Sequence, residues 1–278
     1  MKIVITLDEL RNALSALNRS VGFVPTMGFL HEGHLSLVQK AQEDNAAVIV
    51  SIFANPTQFA PDEDLDNYPR DIDRDIELLE NAGVDLVWIP TVEIMYTEGY
   101  QTWVDVDRLS KLLEGSYRPT HFKGVATVVS KLFNAVSPDR AYFGQKDAQQ
   151  AAVIQRMVRD LNYPIEIIIC PIVRDPDGLA MSSRNTYLDQ DERLAALCLS
   201  RGLFLARDAY LDGERSAGAL KRIVSAEVEG EGLAQLQYVS CADPHTLEEI
   251  ENEVQECLIS MAVFVGGTRL IDNVILGK

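Results

Sequence analysis

The stretch Val21-Gly-Phe-Val-Pro-Thr-Met-Gly-Phe-Leu-His-Glu-Gly-His-Leu-Ser-Leu-Val38 has the pattern of a buried strand, a turn and a helix. Its apolar beginning is typical of a strand inside a parallel sheet, and we expect Pro25 and Gly28 to end that strand. The apolar spacing that begins at Leu35 predicts the helix. A strand followed directly by a helix is the repeating unit of α/β folds, so this stretch indicates such a fold.

Two histidines lie at the predicted start of this helix, with Gly33 directly before the second. A helix N-terminus presents free N–H groups and the positive end of the helix dipole, and this combination binds phosphate. His31 and His34 could both donate hydrogen bonds to phosphate oxygens there. The stretch therefore predicts a phosphate site, although short motifs also occur by chance and a histidine near a core is more often structural.

Composition limits the class of protein. The chain has 278 residues, of which 47% are hydrophobic and 24% charged, and it can bury the core of one large domain or of two. Its net charge of −17 argues against nucleic acid as the main partner, because phosphate backbones require a basic surface. We expect a cytoplasmic protein without a membrane partner, since no stretch has the length of a membrane span and the first residues lack a signal-peptide pattern.

The cysteines do not have the close spacing of metal ligands, so we predict reduced, mostly buried thiols and no metal site made by them. They are Cys170, Cys198, Cys241 and Cys257.

Strand and helix patterns alternate over about 170 residues. The predicted strands are 21–24, 46–53, 84–89, 140–143 and 165–170, and the predicted helices are 7–17, 33–44, 71–82, one through 125–133 and one ending near 161. A short strand at 103–106 and a small helix near Leu109 interrupt this order. Five alternating strands predict one α/β domain with a Rossmann-like, doubly wound parallel sheet.

A turn cluster at Asp175-Pro-Asp-Gly178 is the candidate domain boundary. After it the pattern changes to two helices, at 190–210 and 216–228, and three strands, at 236–241, 257–265 and 270–276. We therefore predict a nucleotide-binding domain over residues 1–174 and a smaller α+β domain over residues 175–278.

Two further segments could bind phosphate. In Gly144-Gln-Lys-Asp147 the glycine permits close approach of a ligand and Lys146 offers a charge, but Asp147 is equally well explained as a helix N-cap. Met181-Ser-Ser-Arg184 offers two hydroxyls and a guanidinium that could clamp phosphate, although by itself it is more typical of a surface loop.

Neutral amides and a basic loop complete the candidates. Asn55-Pro-Thr-Gln58 and Gln149-Gln150 supply amides near the carboxyl edge of the predicted sheet, where open parallel sheets bind ligands. The loop Gly115–Gly124 carries Arg118, His121 and Lys123 and could attract an anion into an otherwise acidic protein, or could simply be a solvated loop.

Taken together and in this order, the segments closely resemble the pantothenate synthetase (pantoate–β-alanine ligase) family of the nucleotidyltransferase superfamily. The matching segments are 25–38, 51–59, 66–70, 118–124, 143–150 and 181–185, followed by a closing segment, Thr268-Arg-Leu-Ile-Asp-Asn-Val274. Phe29 and Ala54 depart from the alanine and valine usual in the family, and Gln145 stands where glutamate is also common. None of these departures removes a catalytic group.

The resemblance implies a two-step ligation. The carboxylate of pantoate attacks the α-phosphate of ATP, which gives pantoyl adenylate and pyrophosphate. The amine of β-alanine then attacks the acyl carbon and releases AMP. The implied small-molecule partners are ATP, pantoate and β-alanine, with Mg2+ carried on the ATP phosphates, and the implied assembly is a homodimer.

The resemblance also assigns residues to the substrates. The implied ATP-binding residues are Met27, Gly28, Phe29, Leu30, His31, Glu32, Gly33, His34, Gly144, Gln145, Lys146, Asp147, Val173, Met181, Ser182, Ser183 and Arg184. The implied substrate-binding residues are Gln58 and Gln150, which would hold pantoate, with Pro25, Thr26, Asn55, Tyr68 and His121. His34 would be the proton donor, and Gln58 would also face β-alanine.

Physical chemistry asks four of these side chains to do the catalytic work, since two anions must be brought together and held in line. They are His31, His34, Lys146 and Arg184. We expect no covalent bond to the enzyme. Asp75 and Asp147 are possible protein ligands of Mg2+, but neither is assigned. We also expect the second domain to close as a lid that carries segment 182–184 and keeps water from the adenylate.

Two other functions remain open at this point. One is adenylyl transfer by another enzyme of the nucleotidyltransferase fold, which would need a second basic cluster. The other is a non-catalytic ATP sensor, for which the pantoate amides Gln58 and Gln150 would have no use.

Overall fold

The computed structural model describes residues 1–17, 20–61 and 63–277. The strands are β1 (Lys2–Val4), β2 (Val21–Thr26), β3 (Ala47–Ile52), β4 (Leu86–Trp88), β5 (Arg140–Gly144), β6 (Glu166–Cys170), β7 (Ala234–Ala242), β8 (Cys257–Val265) and β9 (Thr268–Leu276). The helices are α1 (Leu7–Ser15), α2 (Glu32–Asp44), α3 (Ile72–Asn81), α4 (Val92–Met95), α5 (Glu114–Tyr117), α6 (His121–Val136), α7 (Ala148–Asp160), α8 (Gln190–Leu211) and α9 (Ala217–Glu229). Short 3-10 turns cover Pro56–Gln58, Leu109–Lys111, Gln145–Asp147 and Ser183–Tyr187.

Strands β1 to β6 form one parallel sheet in the order β1-β4-β3-β2-β5-β6. One hydrophobic cluster joins α1, α6 and α7 to one face, and a second joins α2 and α3 to the other. This arrangement confirms the predicted Rossmann-like α/β class. The chain builds outward from β2 in one direction and then from β5 in the other, so the carboxyl ends of β2 and β5 form the topological switch point where such sheets bind ligands.

Over the residues described, the sheet has six strands, and the prediction of five was wrong because it missed β1. This edge strand has three residues, of which Val4 alone is buried, so it lacks the continuous apolar run that revealed the others. The strand predicted at 103–106 is also wrong, because that segment is irregular. Val104 there donates its N–H to the Thr127 hydroxyl at 3.0 Å, where a strand would use a neighbouring backbone.

Pro25 does not end β2, which continues to Thr26. Proline is tolerated inside this strand because β5 pairs only with Gly22 and Phe23, so the β5 side of β2 carries no ladder at Pro25. On its other side β2 pairs with β3 along its whole length.

The remaining strands form an antiparallel sheet in the order β7-β8-β9, against which α8 and α9 pack around a third hydrophobic cluster. The predicted smaller α+β domain is therefore confirmed, while its boundary at residues 174 and 175 stays a prediction. The four cysteines are buried and form no disulfide. Among the residues that the structure describes, no helix is both long and apolar enough to span a membrane.

Candidate active site

A cleft of about 940 Å³ opens at the switch point, between the carboxyl ends of the parallel strands and the small domain. Nineteen of the predicted site residues line it and so are brought together from segments far apart in the chain. They are Pro25, Thr26, Met27, His31, Gly33, His34, Asn55, Gln58, Tyr68, His121, Gly144, Lys146, Asp147, Gln150, Val173, Met181, Ser182, Ser183 and Arg184.

The other predicted ATP-binding residues do not line the cleft; they are Gly28, Phe29, Leu30, Glu32 and Gln145. The backbone turns here through left-handed conformations, with φ of 85° at Gly28 and 52° at Phe29. The Phe29 and Leu30 N–H groups each donate to a different oxygen of Asp75, both at 2.7 Å. Gly28, Phe29 and Leu30 therefore shape the turn that leads into α2.

Two histidines cap α2 with their side chains. The Nδ1 atom of His31, the N-cap residue, accepts from the Gly33 N–H at 3.1 Å, and the Nδ1 atom of His34 accepts from the His31 N–H at 3.3 Å. The His34 and Leu35 N–H groups donate to the His31 carbonyl. The expectation of free N–H groups at this helix start is therefore wrong for these four, since all have partners within the protein.

The same contacts decide how the two imidazoles can bind a ligand. Because both Nδ1 atoms accept hydrogen bonds, the ring proton of each neutral imidazole is on Nε2. Burial lowers the pKa of His31 to about 4, assisted by the nearby charge of Lys146. Burial and the neighbouring His31 hold the pKa of His34 well below its ordinary value. At neutral pH the pair offers two neutral Nε2–H donors, with ring centroids 4.1 Å apart, and brings no charge to a phosphate.

Charge comes instead from Lys146 and Arg184. Lys146 lies in the 3-10 turn after β5, and its Nζ is 3.6 Å from Asp147. Arg184 makes a bidentate pair with Asp64, with Nε–Oδ2 and Nη2–Oδ1 distances of 2.9 and 2.8 Å. Burial would raise the pKa of Asp64, but the hydrogen bonds and charge of Arg184 outweigh it and lower that pKa. The guanidinium also lies 5.5 Å from the centre of the Tyr68 ring.

The predicted basic loop is largely helical, since α5 and α6 occupy most of Gly115–Gly124. Arg118 forms a bidentate pair with Glu63, with distances of 2.7 and 2.6 Å. His121 Nδ1 lies 2.8 Å from the Gln58 carbonyl, and burial, with the adjacent Arg118 charge, lowers its pKa to about 4. The side chains of Arg118 and Glu63 are mostly buried, so the alternative of a solvated loop is wrong.

The predicted amides divide into two groups. Gln58 is nearly buried; its Nε2 donates to the Met27 sulfur at 3.0 Å and its Oε1 accepts from Asn55 at 3.0 Å. Helix α6 approaches this turn so closely that a Cβ on Gly124 would lie 2.4 Å from the Thr57 carbonyl oxygen. Gln149 belongs to the core instead.

Gln149 accepts from the Glu114 N–H and donates to the carbonyls of Leu109 and Leu112, all within 2.9 Å. Its prediction as a cleft amide was therefore wrong, because successive residues of α7 face different sides and only Gln150 lines the cleft.

The two possible Mg2+ ligands differ in what they can offer. Asp75 is fully buried and uses one carboxylate oxygen for each of two backbone N–H groups. Asp147 lines the cleft and its side chain is 45% exposed. Within the described ranges, no group of three or more His, Cys, Asp or Glu side chains could hold a metal ion. A metal here would therefore have to bring most of its ligands with the substrate.

Sequence reasoning missed the carboxylates that hold the cleft arginines, Glu63 and Asp64, and the contribution of β9. The acidic residues after β3 are evident in the sequence, but the sequence does not indicate which arginine each carboxylate pairs with. Cleft residues from the small domain include Thr268, Arg269 and Asp272, which lie in the closing segment already singled out.

Comparison with known proteins gives one consistent result. A family model described as pantoate-beta-alanine ligase matches residues 2–275. The chain is 55% identical over 276 residues to the pantothenate synthetase of Roseiflexus sp. (strain RS-1), with 99% of both chains covered. It is 53% identical over 277 residues to that of Herpetosiphon aurantiacus, covering 99% of this chain and all of the relative.

Solved structures agree. The pantothenate synthetase of Thermus thermophilus superposes with a TM-score of 0.95 at 46% identity, with 99% of both chains covered. The pantoate-beta-alanine ligase of Francisella tularensis, complexed with beta-gamma ATP and beta-alanine, superposes with a TM-score of 0.81 at 33% identity over 99% of this chain and 97% of that one.

Proposed function

The chain belongs to the pantoate–β-alanine ligase family, and from this premise we propose that it makes pantothenate through a pantoyl adenylate formed from ATP. It is a ligase that forms a carbon–nitrogen bond. The observation that carries the proposal is the meeting, in one cleft at the switch point, of two neutral histidine donors, two cations and the amides Gln58 and Gln150. The ATP complex of the related Francisella enzyme supports ATP as the co-substrate.

In the first proposed step, a carboxylate oxygen of pantoate attacks the α-phosphorus of ATP, and the bond between this phosphorus and the bridging oxygen breaks. Pyrophosphate leaves with the bonding electrons. Lys146 and Arg184 supply positive charge for the phosphates, and the Nε2–H groups of His31 and His34 donate to phosphate oxygens as charge moves among them. We propose that Mg2+ is carried on the ATP phosphates, where it would neutralise charge that the two cations Lys146 and Arg184 alone leave uncompensated.

In the second proposed step, the amine of β-alanine attacks the acyl carbon, the carbon–oxygen bond to AMP breaks, and the amine loses a proton. Gln58 and Gln150 would hold pantoate through both steps, with further contacts from Asn55, Tyr68 and His121. Segment 182–184 would act as part of the lid. The Ser183 hydroxyl already donates to the Phe29 carbonyl at 3.2 Å, which links this segment to the turn before α2.

The decisive experiment omits one substrate. Protein, ATP, Mg2+ and pantoate without β-alanine should release one pyrophosphate per active site and retain a bound pantoyl adenylate, detectable by mass spectrometry after rapid quench. Addition of β-alanine should then yield AMP and pantothenate. ATP binding without pantoate-dependent pyrophosphate would overturn the proposal in favour of a nucleotide sensor, provided that a related synthetase is active in the same buffer.

The homodimer and the cytoplasmic location stay predictions. Sedimentation equilibrium would test the first, and fractionation of the host cell would test the second.

A further inference from the structure

The closing segment Thr268–Val274 resembles the family as clearly as the cleft motifs do, yet the proposed chemistry gives it no task. It forms most of β9, the edge strand of the small sheet, and this edge faces the turn Gln145–Asp147. Lys146, the cation at the centre of that turn, belongs to the large domain. The contact between β9 and this turn therefore joins the two domains at a charged group of the cleft.

Within the part of the chain that the structure describes, the hydrogen bonds between β9 and this turn are made by one side chain, that of Asn273. The two N–H bonds of the Asn273 amide are directed at consecutive carbonyl oxygens, those of Gln145 at 3.0 Å and Lys146 at 2.9 Å. Its Oδ1 accepts from the Gln145 side chain at 3.2 Å. Asn273 is 3% exposed and lies behind the cleft wall, so it does not reach the ligand space itself.

The two carbonyls belong to the two peptide planes that meet at the Lys146 Cα atom. Holding both planes fixes φ and ψ of Lys146, and these two angles set the direction in which its Cα–Cβ bond points. A flexible lysine delivers its ammonium group to a fixed place only when its base is fixed. The Asn273 amide therefore controls where the Lys146 side chain starts.

Asn273 is itself held from behind. Its N–H donates to Asp272 Oδ1 at 2.7 Å, and Asp272, which is 2% exposed, receives both Nη atoms of Arg174 at 2.6 and 2.9 Å. Arg174 directly follows Val173, a cleft residue. A continuous set of contacts thus connects the segment after β6 with the Lys146 turn. It consists of the Arg174–Asp272 ion pair and the hydrogen bonds of Asn273.

We propose that Asn273 is a positioning residue that aims Lys146 at the phosphates, so that the small domain takes part in nucleotide activation through a large-domain side chain. The inference rests on the proposed function, because it needs a phosphate for Lys146 to meet. According to this inference, β9 not only forms an edge of the small sheet but also orients Lys146 for the first chemical step.

Asn273→Ala should lower the rate of pantoate-dependent pyrophosphate release roughly 10- to 100-fold, the loss expected when a catalytic group is displaced by about an ångström. Tyr238→Phe is the matched control. It removes another hydrogen bond between the domains, from the Tyr238 hydroxyl to Glu114 at 2.8 Å, and does not touch the Lys146 turn. An equal loss in both variants would mean that domain contact alone matters and would overturn the positioning role.

A double-mutant cycle with Lys146→Ala separates positioning from a general structural role. Rates are measured in single turnover at micromolar enzyme, with thermal unfolding as the check on folding. If Asn273 acts through Lys146, then Asn273→Ala should change the rate less than about twofold in the Lys146→Ala background. The same fold-loss in both backgrounds would refute the inference. A wild-type protein that releases no pyrophosphate would instead refute the proposed function.

Discussion

At the scale of single residues, the hydrogen bonds of the two capping histidines determine what each ring can offer a ligand. Their Nδ1 atoms are committed to backbone N–H groups, so each ring has one nitrogen left for a ligand, and it is a donor. Low pKa values keep both rings neutral at physiological pH. A neutral donor can stabilise charge that develops on an oxygen by a hydrogen bond. Because it carries no charge itself, it does not attract carboxylates or a second nucleotide to the site.

Replacing His34 tests this role. His34→Ala removes one Nε2–H donor and the acceptor for the His31 N–H, and we expect pyrophosphate release to slow by about 100- to 1000-fold, as for loss of a preorganised oxyanion donor. His245→Ala, at an exposed position outside the cleft, is the control for loss of an imidazole. A normal rate of adenylate formation in His34→Ala would show that the ring is merely a cap.

Asp75 offers a second test at this scale. Asp75→Asn replaces one acceptor oxygen by an NH2 group that faces a backbone N–H, so we expect the free energy of unfolding to fall by about 1–3 kcal/mol in urea titrations. The apparent affinity for Mg2+ in pyrophosphate release should not change, because both oxygens already have partners. Asp73→Asn, an exposed change on the same helix, supplies the baseline. Loss of Mg2+ affinity would restore Asp75 as a metal ligand.

At the scale of elements, the segment between β3 and α3 supplies two carboxylates that pair with arginines of the cleft. Glu63 pairs with Arg118 on one side of the cleft, and Asp64 pairs with Arg184, in the 3-10 turn before α8, on the other. Each arginine directs its Nε and one Nη at a carboxylate, and these donors must leave that carboxylate before they can bind a phosphate or a substrate carboxylate. The segment therefore competes with the substrates for the two cations.

Asp64→Asn should remove this competition for Arg184. The side chains of Asp64 and Arg184 are 27% and 28% exposed, so the pair is worth on the order of 0.2–1 kcal/mol, and we expect the KM for ATP to fall by about 1.5- to 5-fold. Asp66→Asn makes the same charge change at an exposed position of this segment. A KM for ATP that rises in Asp64→Asn alone would mean that Asp64 orients Arg184 for the nucleotide.

Most elements could be predicted from local patterns, because helix caps and continuous apolar runs are short-range signals. A capping box made by Thr6 and Glu9 begins α1 at Leu7, where the sequence predicts the start of a helix. The two wrong strand predictions concern segments whose structure depends on distant partners. Strand β1 is stabilised by pairing with β4, and segment 103–106 is held by a hydrogen bond to a threonine of α6. The site followed the same rule. Residue types could be predicted, whereas the pairing of Arg184 with Asp64 depends on a fold that only the structure reveals.

At the scale of the whole molecule, buried histidines couple stability to pH. Burial lowers the pKa of His31 and His121 from 6.5 to about 4, and it also holds the pKa of His34 well below its ordinary value. Between about pH 6.5 and 4 the unfolded chain therefore binds more protons than the folded chain, and these groups make the folded state less stable as pH falls through that window.

The expected result is a free energy of unfolding that rises with pH more steeply in the wild type than in His121→Asn between pH 4.5 and 6.5. The difference between the two proteins is the quantity to measure by urea denaturation, because Asp75 and Asp272, whose pKa values burial raises, act in the opposite direction in both. Parallel curves would show that His121 titrates normally in the folded protein.

The pairing of β2 with β5 has a kinetic consequence. Val21 donates its N–H to Asp139 at 2.7 Å across 118 residues of chain, so the two walls of the cleft meet only after a very long loop has closed. Before that event there is no complete place for a nucleotide to bind. A bound nucleotide should therefore slow the unfolding of the finished molecule and leave its refolding rate unchanged, which stopped-flow measurements with and without nucleotide would show. The substrate would then protect a structure that it does not help to form.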